Sequence, residues 1–145
     1  MKNLFLKAIL VVGLATTIVA CSKDEETTPT ATIVGTWEAT SQSSKITLNG
    51  TVLQDSTETY AAGELSVEFK SNGIAIAKMV GEPDDTNKYI LSGSALTLIT
   101  MDNVDTTVFN NTTFTTTNLT LGMSETQVDG SNTLTSTFAI NFKKK

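Results

Sequence analysis

The 145-residue chain holds 10 lysines, 15 acidic residues and a single cysteine, with no histidine and no arginine. Lacking imidazole, guanidinium and a thiol pair, it is without the usual general base, the commonest metal ligand, the bidentate anion clamp and any internal disulfide. Beyond Cys21 there are 8 Lys against 15 acids, a formal charge of −7 that disfavours nucleic acid as a partner.

The first twenty residues read as a signal peptide. Lys2 and Lys7 make a basic start, Ala8 to Ala15 is apolar, and Thr16 to Ala20 brings small residues up to Cys21. The apolar stretch is interrupted by Lys7 and Thr16-Thr17, and it falls short of the roughly 20 residues that span a bilayer. Ser22-Lys23-Asp24-Glu25-Glu26 is a charge run, and residues 21–32 as a whole form a polar tether ahead of a domain at 33–145.

From Ile33 onward period-2 alternation recurs between Gly, Asn, Asp and Ser turns, and the 27 threonines of the whole chain favour half-wet strands over helix interiors. Trp37 shares strand parity with Ala39, opposite Thr36, Glu38 and Thr40. Ile46 and Leu48 precede Asn49-Gly50, the dipeptide of a type I′ hairpin, because both central residues need positive φ. Leu65, Val67 and Phe69 alternate with polar neighbours, Ser71-Asn72-Gly73 turns the chain, and Ile74 to Val80 is apolar on both faces except at Lys78. Glu82-Pro83-Asp84-Asp85 reads as an acidic loop, followed by a hairpin of Tyr89–Leu91 and Ala95–Met101. Val104–Phe109 and Thr113–Leu121 are Thr-rich strands, the latter continued by Met123–Val128. In the last segment Leu134, Phe138, Ile140 and Phe142 share one face. The expected fold is all-β: a small antiparallel up-and-down barrel of about eight strands, closed because closure removes exposed edges.

Three resemblances join these readings. Ile18-Val19-Ala20-Cys21 resembles the lipobox of bacterial lipoproteins, which implies that Cys21 is acylated and becomes the mature N-terminus. The charge run after it resembles the export signal that sends some lipoproteins to the outer membrane surface. Gly35-Thr36-Trp37, Val67 to Gly73, Tyr89 to Leu98 and the ending Phe138-Ala139-Ile140-Asn141-Phe142-Lys143 together resemble the lipocalin-like domain of bacterial lipoproteins. That resemblance implies a barrel whose base is closed by the Trp. The family caps this Trp with an arginine, for which this chain has only Lys143 to Lys145 as substitutes.

Chemistry finds little to work with. Gly-x-Ser-x-Gly, Ser-x-x-Lys and Gly-rich phosphate loops are absent, and Glu64 with Glu68 reads as a solvated strand face, so an enzyme is not expected and no cofactor is implied. Glu82, Asp84, Asp85 and Asn87, or Asp102, Asn103 and Asp105, could offer oxygen ligands to calcium, but neither set has a known loop spacing and no metal site is assigned. The leading expectation is a lipid-anchored outer-membrane lipoprotein, held to the membrane through Cys21, that binds a small apolar molecule lined by Trp37, Phe69, Phe138 and Phe142. The alternative is a structural or surface interaction protein with a filled barrel that contacts protein or glycan.

Overall fold

The computed structural model describes residues 31–145, so the signal peptide at 1–20, the lipidation candidate Cys21 and the tether up to residue 30 lie outside the described residues. The described chain is built from ten strands: β1 Gly35–Leu48, β2 Thr51–Thr59, β3 Leu65–Phe69, β4 Ile74–Met79, β5 Asp85–Ser92, β6 Ala95–Thr100, β7 Thr106–Phe109, β8 Asn111–Phe114, β9 Asn118–Asp129 and β10 Asn132–Lys144. Every pairing is antiparallel, in the order β7-β6-β5-β4-β3-β1-β10-β9-β8, with β2 also on β1. The sheet curls into a nearly closed barrel of all-β class, as composition and alternation imply.

The strand count exceeds the expected eight, and one of the extra breaks has a local cause. Thr113–Leu121 is not continuous: the Thr115 N–H donates to the Asn118 carbonyl, and the Asn118 N–H to the Thr115 hydroxyl, so the chain reverses between β8 and β9. A run of threonines carries uniform strand preference and hides a turn closed by one of its own hydroxyls. Likewise β5 starts at Asp85 rather than Tyr89, because Asn87 pairs with both Ala75 and Thr100 and is buried.

Hairpin chemistry is where sequence and structure agree most closely. Asn49 and Gly50 take φ of 52° and 80°, the left-handed pair a type I′ turn requires. The β9–β10 turn at Gly130-Ser131 lies beside it, and the two tips are tied together. The Asn49 N–H donates to the Thr133 carbonyl (2.8 Å), the Thr133 N–H to Asn49 Oδ1 (2.7 Å), and Asn49 Nδ2 to Asn132 Oδ1 (3.1 Å).

β1 is shared by two bodies. Its first residues pair with β3 inside the barrel, and from Ser41 onward it pairs with β2 instead. The switch coincides with a β-bulge: Ala39 faces Phe142 and Ser41 faces Asn141, leaving Thr40 as the extra residue. A bulge reverses side-chain parity along its strand. Trp37 and Ala39 therefore point into the barrel, whereas beyond Thr40 it is Gln42, Ser44 and Ile46 that share the face of Ile140, Phe138 and Ser136. The outer halves of β1, β10 and β9, with β2, form a four-stranded ribbon that extends the barrel wall; β2 is exposed along its whole length.

The seam between β7 and β8 is sealed without a strand ladder. The Thr112 N–H donates to the Ser94 carbonyl (2.7 Å), and the Asn110 amide makes a two-point bond to Ser124, giving Nδ2–H to its carbonyl (2.8 Å) and accepting its N–H at Oδ1 (2.9 Å). A side-chain amide here does the work of a peptide group. Asn110→Ala should lower the unfolding free energy by about 1–2 kcal/mol, the net worth of two exposed hydrogen bonds, measured by urea denaturation.

Candidate functional site

The barrel interior is built around Trp37. It is fully buried, with Ala39, Val67, Phe69, Ala75, Leu96, Phe109, Leu119, Leu121 and Phe142 in the same cluster. Its indole Nε1–H donates to the Ile33 carbonyl (2.7 Å), which satisfies the one polar atom the ring takes inside. The Lys144 ammonium lies 5.0 Å from the ring centroid and donates to the Val34 carbonyl at 3.1 Å. Of the three C-terminal lysines, Lys144 is the one that covers the Trp, a cation over an aromatic face. Phe69 packs edge-to-face on Tyr89, with ring centroids 5.1 Å apart at 80°, and the Tyr89 hydroxyl donates to the Lys70 carbonyl.

The four residues expected to line a ligand cavity separate into two groups. Trp37, Phe69 and Phe142 come together in the core, exposed by 0%, 1% and 4%. Phe138 does not join them. It is half-buried where the barrel wall continues into the ribbon, and there it lines a concavity of about 230 Å³ with Ser44, Ile46, Met123, Glu125 and Ser136. The register makes this a small array of two rows across β1, β10 and β9. One row is Ile46, Ser136 and Glu125; the other is Ser44, Phe138 and Met123.

Only Phe138 of these was legible as a candidate in the sequence. Ile46 and Ser44 reach this face because Thr40 bulges, and Met123 and Glu125 reach it because β9 runs unbroken through Gly122. Gly122 leaves no room for a side chain: a Cβ there would stand 2.8 Å from the Asn111 carbonyl oxygen.

A second hollow of about 250 Å³ lies on the outer wall at the bulge, lined by Glu38, Ala39, Thr40, Tyr60, Ala62 and Lys143. Its carboxylate is already engaged, since Glu38 accepts the Gly63 N–H and pairs with Lys145 at 3.6 Å. The Tyr60 hydroxyl donates to Gln42 Oε1 (2.7 Å), and burial, with Glu64 and Glu58 nearby, holds its pKa above the ordinary tyrosine value.

The two acidic loops weighed for calcium are otherwise occupied. Asn87 is drawn into β5, and Asp84 pairs with Lys78 at 3.3 Å. Asp102 accepts the Thr100 hydroxyl and the Val104 N–H, which hold its carboxyl below the ordinary range, while Asn103 accepts from Lys88. No cluster of three or more His, Cys, Asp or Glu able to hold a metal occurs among the described residues. Comparison of the chain with models of known protein families, with curated proteins and with solved structures finds no match.

Proposed function

We propose that the chain is a lipid-anchored cell-envelope protein of the bacterial outer membrane, with a lipocalin-like barrel that serves as a filled scaffold and an outer surface that makes the functional contacts. The observation that carries this reading is the closed packing of Trp37, Phe69, Phe142, Leu96 and Leu119, which occupy the volume an interior ligand would need. The anchor rests on the lipobox-like Ile18-Val19-Ala20-Cys21. Two or three acyl chains, at about 0.8 kcal/mol per buried methylene, hold a protein to a bilayer for practical purposes permanently. The tether then leaves the domain free to stand off the membrane. Beyond Val34, β1 carries the fold outward for 14 residues, about 45 Å, to the Asn49–Gly50 tip.

Benzene separates a filled barrel from a ligand carrier, because an apolar void of the right size binds it. The Leu96 and Leu119 methyl resonances of the parent should be indifferent to benzene, and Phe142→Ala, which opens a void beside them, should make them shift. Benzene-dependent shifts of those core methyls in the parent would instead establish an interior ligand cavity and favour the carrier reading.

A further inference from the structure

We infer that the concavity where barrel and ribbon meet is a binding site for a small amphiphile with a cationic head, an alkylammonium or comparable organic cation. It does not depend on what fills the barrel, since its floor lies on the extended wall.

Three features define what would fit. Ile46, Met123 and Phe138 supply an apolar floor on three neighbouring strands, placed together by the pairs Phe138–Met123, Ser44–Phe138, Ser136–Ile46 and Ser136–Glu125. The volume of about 230 Å³ is below the roughly 300 Å³ at which drug-sized pockets begin, so it takes one short chain or ring rather than a large lipid. At the end of one row stands Glu125, whose carboxylate among the described residues accepts a neutral contact from Gln127 Nε2 at 3.2 Å and no ammonium.

The charge of the cleft is not balanced from within. Among the described residues the ion pairs are Lys45–Asp55, Lys78–Asp84 and Lys145–Glu38, and none of these involves Glu125. Lys45, the nearest lysine along β1, has the opposite parity to Ser44 and Ile46 and is turned to Asp55 on the other face of the ribbon. A cation entering the cleft therefore meets an unpaired carboxylate beside an aromatic ring, two groups that attract positive charge by independent means. An anion of the same shape is repelled by that carboxylate. The Ser44 and Ser136 hydroxyls, on the same face, add hydrogen-bonding partners for an ammonium or the waters around it.

Methionine methyls read this out in the full chain. Met123 lies in the cleft, while Met79 and Met101 are exposed elsewhere and serve as internal references. With ¹³C-methyl-methionine label, titration with hexylammonium should shift Met123 saturably and leave Met79 and Met101 in place. Hexanol should bind about fivefold more weakly, the size of effect an exposed ion pair supplies, and hexanoate more weakly still. Glu125→Gln, a conservative change at an exposed position, should remove most of the advantage of hexylammonium over hexanol, and Phe138→Ala should weaken both. A Met123 signal that ignores hexylammonium would overturn the assignment. So would equal binding of hexanoate, or unchanged hexylammonium affinity in a Glu125→Gln variant of native thermal stability.

Discussion

Trp37→Ala should destabilise the domain by about 3–5 kcal/mol, the range for emptying a fully buried large aromatic site. The cost has separable parts. The ring packs at the centre of a cluster drawn from both ends of the chain, its N–H satisfies the Ile33 carbonyl, and Lys144 lies over its face. Lys144→Met keeps most of the aliphatic stem but removes the charge and its hydrogen bond to the Val34 carbonyl, so it should cost about 1–2 kcal/mol, while Trp37→Phe should fall between the two. Urea unfolding of the three variants provides the comparison. A Trp37→Ala protein as stable as the parent would take Trp37 out of the core and remove the main support for a lipocalin-like base.

Cys21→Ser carries the other large effect, all-or-none in kind. If the residue is acylated as proposed, the parent expressed in a bacterium should take up labelled fatty acid and sediment with membranes. The serine variant, which has no thiol for the thioether, should take up none and should accumulate as uncleaved precursor, because the modified cysteine is what the lipoprotein peptidase recognises. Label on the Cys21→Ser protein, or a parent that carries none, would remove the anchor from the functional reading and leave only the domain.

How much of this could be read from the sequence depends on the range of the interaction responsible. Turns that need positive φ were legible at once, because Asn49-Gly50 and Ser71-Asn72-Gly73 encode their own backbone conformation within two or three residues. The burial of Val67, Phe69 and Phe142 followed from alternation. The reversal at Thr115–Thr117 did not, since its threonines look like the strands on either side. Thr40 hid more. Nothing in Ala39-Thr40-Ser41 marks a bulge; it falls where β1 leaves β3 for β2 while staying paired with β10 on its other edge, a demand set by partners far along the chain. With that bulge unread, the parity of Ser44 and Ile46 was unreadable too, and so was the cleft. Phe138 could be named as a lining residue, but what it lines could not.

The sharing of β1 between barrel and ribbon has a mechanical side. A pull on the chain ahead of Val34, resisted at the Asn49–Gly50 tip, runs along β1 itself. Its eleven paired residues on β10, and those on β3 and β2 along the opposite edge, would be loaded side by side rather than one after another. Strands parted in this direction slide in shear, and all their hydrogen bonds must give together, whereas a strand peeled from one end yields them singly. A domain tethered at one end and gripped at the other would then resist tension through its longest strand, with the Lys144–Trp37 contact beside the point where the load enters.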